Sequence, residues 1–332
     1  MRRTSDTPHL HSDPATARSV VVAPARAARP SDLEGGPGAM AGPCPFCIGN
    51  ESLTPPDVLR SPRATAAAWQ VRIVPNRFPF VTDTAGVPRP SRIPPAAPGI
   101  AAAPRVAHGV HDCVVESPRH LRSILDIDAS AWATVWDLCR ERLAMLAARE
   151  DLAWVTLFKN SGAGAGASLE HVHSQIVGLD FVPPLIAAEL AAATRVADPF
   201  GDLLRDAAAE ERIVSVAGDL VAMVPPAPRQ PFECWILPRT AEAFFHATTP
   251  DRVRGVADLT REVVGRLDRL VPRGDYNWWL HQPPHAGPPP AAWHWHLEIL
   301  PRINGLAGFE LGSGCHVTTM SPRESARLLR DA

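Results

Sequence analysis

The sequence predicts an α/β or α+β sandwich assembled from two similar halves. Short β-like runs alternate with two longer stretches of helical periodicity, a pattern that requires sheets covered by helices. The same order of elements occurs twice along the chain, which outweighs local propensity in deciding the architecture. Each occurrence ends in a His-x-His segment, at His171–His173 and again at His294–His296.

Residues 1–17 are polar and without periodicity, which predicts a mobile tail. Val20–Val22 reads as a short strand leading into Pro24-Ala-Arg-Ala-Ala-Arg-Pro30. Further β-like runs lie at Val71–Val74, Cys113–Glu116, Trp154–Phe158 and Cys234–Leu237. The Pro- and Ala-rich stretch from Pro88 to Pro104 predicts an irregular loop. Helical periodicity spans Ala131–Ala148 and Asp251–Leu270. The first repeat runs from Cys113 through a helix to Trp154–Asn160 and then to His171-Val-His-Ser-Gln175. The second runs from Cys234 through a helix to Asn277–His281 and then to His294-Trp-His-Leu-Glu298. Cys113 to His173 covers 60 positions and Cys234 to His296 covers 62, so the two copies are registered on their cysteines.

A chain of 332 residues can bury one large core or two medium ones. Its 35 acidic and 33 basic residues leave a net charge of −2. That balance argues against a nucleic-acid partner, so contact with phosphate has to be local and geometric. Arginine supplies all the basic charge except that of Lys159. No run of about 18 apolar residues exists, so no membrane span is expected. Arg2 and Arg3 are followed by polar residues and Pro rather than by the apolar core of a signal peptide. The six scattered cysteines fit a reducing compartment, and a cytoplasmic location is expected.

The motifs carry more. Asn160-Ser-Gly-Ala-Gly-Ala-Gly-Ala-Ser168 is a small-residue loop that lets backbone approach a phosphate, although no Gly-Lys-Ser/Thr makes it a Walker loop. On its own it reads better as a plain hairpin connection. Beyond it, His171, His173 and Gln175 alternate with apolar or small residues. On a strand, residues two apart share a face about 7 Å apart. A neutral imidazole there, with one nitrogen held, can act as a nucleophile, and Ser168 and Gln175 can donate to phosphate oxygens. Cys44-Pro-Phe-Cys47 is half of a zinc site or a redox pair. Its Gly- and Pro-rich setting favours zinc, with His120 and His171 as the remaining candidates. His281, His294 and His296 have no glycine-rich loop beside them and look more like metal ligands than a second catalytic centre, or else like part of an aromatic core.

With these residues in view, the sequence closely resembles the galactose-1-phosphate uridylyltransferase family and its nucleotide-sugar phosphorylase relatives. The matching stretches are Arg26–Pro30, Cys44–Glu51, Val71–Phe78, Glu116–His120, Phe158–Asn160 through Gln175, and His294 through Glu310. The resemblance implies an α+β fold of two tandem histidine-triad-like halves, each an antiparallel sheet with packed helices, over residues 18–183 and 184–332. It implies a structural zinc on Cys44, Cys47, His120 and His171. It makes His173 the nucleophile, with Ser168 and Gln175 around the phosphate, and Arg26, Arg29, Asn76, Asn160 and Gly166 at nucleotide or phosphate. A second metal, iron or zinc, falls to Glu189, His281, His294 and His296. Phe309 and Glu310 lie in the segment that binds nucleotide and sugar, and His316 lies where transferases contact the sugar. Val172 stands where transferases have Pro, and the run from Leu311 to His316 looks more like the phosphorylase branch.

The leading expectation is therefore a transferase that moves UMP or another NMP from a nucleotide sugar to a hexose-1-phosphate through a nucleotidyl-histidine, as in UDP-glucose:hexose-1-phosphate uridylyl transfer. The alternative keeps the first step and uses inorganic phosphate as acceptor, as for ADP-glucose. A non-catalytic zinc-stabilised binding protein is the third reading, and the intact His-x-His-x-Gln argues against it. A homodimer is the family's usual state.

Overall fold

The computed structural model describes residues 7–13, 16, 18–29, 42–63, 68–84, 103–285 and 287–332. Most of the expected loop from Pro88 to Pro104 lies outside them. The chain begins with strands β1 (His9–Ser12), β2 (Ser19–Val22), β3 (Leu59–Ser61), β4 (Val71–Pro75), β5 (Arg105–Val106) and β6 (Gly109–Val115). Helix α1 (Ala129–Ala147) precedes β7 (Trp154–Ser161) and β8 (His173–Leu179). Helices α2 (Pro184–Ala193) and α3 (Pro199–Ala209) open the second half, followed by β9 (Ile213–Ala217), β10 (Leu220–Met223) and β11 (Cys234–Pro238). Then come α4 (Pro250–Leu270), β12 (Tyr276–His281), β13 (His296–Pro301), α5 (Gly308–Ser313) and α6 (Pro322–Asp331). Both helices expected from periodicity are present. Helix α4 starts where Thr249 caps the Arg252 N–H and Pro250 occupies the first turn.

The α+β fold of two repeated halves is borne out, with one difference. Instead of two sheets there is one ten-stranded sheet, ordered β3-β4-β6-β8-β7-β12-β13-β11-β10-β9. Its two halves mirror each other in order, and β7 pairs antiparallel with β12 across the seam. Under the sheet, one core runs through both halves. Trp132 and Trp136 of α1 meet Trp278 of β12, and Trp132 Nε1 donates to Thr260 of α4 at 3.1 Å. The duplicated helices thus pack on each other directly beneath the seam.

Strand alternation sends the odd positions of β8 and β12 to the opposite face, which is called the site face below. Two expectations need correction here. His9–Ser12 is not a mobile tail; it forms β1, paired with β2 and β5 in a small separate sheet. Leu10 is buried against Val81 and Leu179, and this apolar anchor was hidden between histidines in the sequence. The repeat is also offset by one residue. Cys113 pairs with Gln175 while Trp235, not Cys234, pairs with Glu298. Because the side-chain period is two, that single step places Cys113 on the site face and Cys234 in the core. No described helix is long and apolar enough to cross a membrane.

Candidate active site

A cleft of about 210 Å³ opens on the site face of the first half. Its apolar lining comes from Pro43, Pro45, Phe46, Leu53, Pro55 and Phe78, and its polar lining from Arg29, Asn76, Ser168, His173 and Gln175. Among the described residues no carboxylate lines it. Such a slot combines apolar surface with a few converging polar groups, the usual make-up of a small-molecule site. Arg26 lies behind Arg29, donating to the Phe78 carbonyl at 2.8 Å. Burial lowers the pKa of both arginines, and each lies close enough for Arg29 to depress Arg26 further. An anion between them relieves that repulsion.

His173 begins β8, so His171 stands just before the strand rather than on it. The His173 Nδ1–H donates to the His171 carbonyl at 2.7 Å, which leaves Nε2 with its lone pair. Burial, reinforced by the charge of Lys159, pushes the His173 pKa down to about 3, so the ring is neutral at pH 7. On the core side, Lys159 donates to the His173 carbonyl at 2.9 Å and to Glu116 at 2.6 Å, while Ser174 donates to the other Glu116 oxygen. This buried network pins the backbone of the strand from beneath, and a lone lysine was its one sign in the sequence.

The small-residue loop delivers Ser168 to the cleft but offers few donors itself. Asp275 accepts from the Gly164 N–H at 2.5 Å, and the N–H groups of Gly166 and Ala167 go to Ala163 and Gly162 carbonyls. Gly162 has φ of +87°, and a Cβ there would sit 1.7 Å from the Asp275 carboxylate. Gly166 thus shapes the loop instead of donating to a ligand. Asn160 is not in the cleft; it lies at the seam, accepting from Asn277 Nδ2 at 2.8 Å.

Beside the cleft, Cys44, Cys47, His120 and His171 bring their ligand atoms within 4.8 Å of one another. The Sγ–Nδ1 distances are 3.5 Å for Cys44–His171, 3.5 Å for Cys47–His120 and 3.7 Å for Cys47–His171. A tetrahedral ion with Zn–S of about 2.3 Å and Zn–N of about 2.05 Å needs an S–N edge of about 3.6 Å. His171 Nε2–H donates to the Ser117 carbonyl at 2.8 Å, fixing the ring as metal ligands require.

In the second half, Glu189, His281 and His296 form another cluster. Glu189 oxygens lie 2.8 Å from His281 Nδ1 and 3.2 Å from His296 Nε2. Glu298 is 3.5 and 3.6 Å from the same nitrogens. Glu189 Oε2, His281 Nδ1 and His296 Nε2 are buried with no hydrogen bond of proper geometry. Burial alone lowers the His296 pKa, but Glu189 and Glu298 more than reverse it, so this site seeks positive charge. Burial likewise raises the Glu298 pKa, yet His296, His281 and Arg229 bring it down to about 2.

Residues 2–183 match the family described as "Galactose-1-phosphate uridyl transferase, N-terminal domain". The chain belongs to that family. Residues 131–331 also match a "Domain of unknown function (DUF4921)". ADP-glucose phosphorylase of Arabidopsis thaliana is 29% identical over 98% of this chain and 93% of its own length. Galactose-1-phosphate uridylyltransferase of Thermotoga maritima is 23% identical over 97% of this chain and 98% of its own. The crystal structure of an ADP-glucose phosphorylase from Arabidopsis thaliana with bound ADP-glucose superposes with a TM-score of 0.77 at 27% identity, covering 98% and 99% of the two chains.

Against the pattern of this family, the structure changes several assignments. His294 stands outside the second cluster: its Nδ1 is held by the Pro238 carbonyl at 2.8 Å and its ring stacks on Phe200. Glu298 takes the place beside the cluster instead, which its position two residues beyond His296 foreshadowed. Phe309, Glu310 and His316 do not reach the cleft of their own chain. Phe309 is 60% exposed on α5, His316 is also exposed, and Glu310 accepts from the Ala307 N–H at 3.0 Å to start that helix. His111 was missed; it lies behind Gln175 and Asn76.

Buried neutral histidines make stability depend on pH. Burial pushes His111 down to about 3 and His285 down to about 4. Above about pH 6.5 both folded and unfolded chains hold these rings neutral, and the full stability is present. Below it the unfolded chain binds protons that the fold refuses, so stability falls as the pH drops toward those depressed values. Each ring contributes at most about 1.4 kcal/mol per pH unit. Urea unfolding at pH 7, 6 and 5 should show that decline, and His285→Asn should lessen the slope by about one proton. A wild-type stability that stays flat across this window contradicts the assignment.

Proposed function

We propose that this chain transfers a nucleotidyl group from a nucleotide sugar to a phosphate-bearing acceptor, with His173 as the nucleophile. One observation carries the reading: a neutral imidazole with a free Nε2 faces a cleft that holds Arg29, Ser168 and Gln175 and, among the described residues, no carboxylate. The duplicate histidine, His296, sits instead between Glu189 and Glu298, which repel a phosphate. In the first step the His173 Nε2 lone pair attacks the α-phosphorus. The bond from that phosphorus to the bridging oxygen breaks, and sugar-1-phosphate leaves with the electron pair. Ser168, Gln175 and Arg29 stabilise the charge spread over the non-bridging oxygens. In the second step an acceptor phosphate oxygen attacks, the P–N bond breaks, and His173 is regenerated. Imidazole serves as both nucleophile and leaving group, so one hard exchange becomes two easier ones.

Inorganic phosphate is the acceptor favoured by the full-length similarity to ADP-glucose phosphorylase. Hexose-1-phosphate is the second reading, favoured by the match of residues 2–183 to the uridyl transferase family. Zinc on Cys44, Cys47, His120 and His171 fits the donor set and its spacing; it would tie the Pro43–Phe46 wall of the cleft to the residue two before the nucleophile. Glu189, His281 and His296, with Glu298, would hold a second ion, iron or zinc, that neutralises one buried and one half-buried carboxylate.

Enzyme and UDP-glucose or ADP-glucose, without acceptor, should release about one equivalent of sugar-1-phosphate and then stall. Adding inorganic phosphate or hexose-1-phosphate restarts release with whichever is the acceptor. Steady release without either acceptor refutes the two-step scheme.

Elemental analysis of purified protein should find zinc, and Cys47→Ser should lose it together with much of the stability. Glu189→Gln should deplete the second ion while leaving the zinc in place. Protein that folds normally without any metal contradicts both sites.

A further inference from the structure

His111 belongs to β6, opposite Val177 of β8, and its side chain reaches diagonally along the site face toward Gln175. It is buried and does not line the cleft. Its Nε2 is 2.9 Å from Gln175 Oε1 and 3.1 Å from Asn76 Nδ2. Its Nδ1 is 3.4 Å from the Phe80 backbone nitrogen, and its ring leans on the Phe80 ring at 4.4 Å. Its own carbonyl accepts the Asn76 N–H at 2.8 Å, and Asn76 Oδ1 accepts from the Phe78 N–H at 2.8 Å. One histidine therefore touches both amide side chains that line the cleft.

We infer that His111 is a positioning residue that fixes the amide of Gln175 with its nitrogen, not its oxygen, presented to the substrate phosphate. This rests on the reading of His173 as a nucleotidyl-accepting nucleophile. The tautomer follows from the neighbours. An N–H from Phe80 directed at Nδ1 requires a lone pair there, so the proton sits on Nε2. Nε2 cannot both donate to Gln175 and accept from Asn76, and the proton together with the shorter distance selects Gln175. Burial pushes His111 down to about 3, so the ring stays neutral and adds no competing charge. With Oε1 of Gln175 held inward, its NH₂ remains for the ligand. Asn76, whose oxygen is taken by Phe78, is left in the same sense. A flipped Gln175 would turn a carbonyl oxygen toward an anion, replacing a donor with a repulsion exactly where negative charge builds on the phosphate.

The test measures single-turnover release of sugar-1-phosphate from UDP-glucose or ADP-glucose, with donor affinity and melting temperature taken for each variant. His111→Leu should slow release roughly 10- to 100-fold, less than the roughly 100- to 1000-fold of losing a transition-state donor outright, while donor affinity changes far less. His111→Gln carries an amide N–H to the place of Nε2 and should restore most of the rate. His111→Asn, similar in polarity but reaching only the place of Nδ1, should not. In a Gln175→Ala background the His111→Leu penalty should vanish, because the group being positioned is gone. Equal penalties in both backgrounds, or no difference between the Gln and Asn replacements, overturn the inference. If the wild type itself releases nothing in a single turnover, the nucleophile reading falls first and takes this one with it; normal wild-type release with additive penalties refutes His111 alone.

Discussion

Four cross-strand pairs between β7 and β12, from Phe158–Trp279 to Ser161–Tyr276, hold the two halves of this chain in one sheet. The rest of the molecule depends on that seam. It lets α1 bury Trp132 and Trp136 against Trp278 of β12 and Thr260 of α4 on one side, and keeps a continuous face for polar residues on the other. Asn160 and Asn277 pair side chain to side chain across it, and Asn277 also holds the small-residue loop through the Ala165 carbonyl. The loop that carries Ser168 is thus anchored in the first half by a residue of the second, as it is again through Asp275.

The duplication gives each position of the site a counterpart, and the differences explain why the halves do different chemistry. In matching registers Gln175 corresponds to Glu298, and Asn160 to His281. A neutral amide can turn donors toward a phosphate; a carboxylate in its place repels the same ligand and attracts a cation. Lys159 corresponds to Leu280, so the charged group under the first half's histidine strand has an apolar counterpart in the second. Few substitutions on a shared frame suffice to separate the proposed nucleophile site from the proposed metal site.

Much of this was legible in the sequence because the signals were local. The His-x-His spacing, the Cys-x-x-Cys pair and the two amphipathic helices each lie within a few turns or strand steps. The resemblance to a known family then supplied the ligand set. What escaped were features decided by pairing across long separations. The one-residue offset of Cys234 is a matter of register, which composition does not encode. His111 lies 64 positions from Gln175, and nothing near it in sequence marks it as different from any buried histidine. His294 shares its spacing with a ligand histidine, yet it is His296 whose ring nitrogen comes within reach of Glu189 and His281. Strand β1 has one buried leucine among polar residues, too little for a periodicity to declare.

The central claim is that bond-making occurs on His173 and not on its duplicate. Enzyme incubated with donor and no acceptor, then digested and mapped by mass spectrometry, tests it most directly. The account predicts one nucleotidyl group per chain, attached to the peptide bearing His173 and absent from His173→Asn protein. An adduct on His296, or turnover that proceeds with no adduct on any histidine, would contradict it.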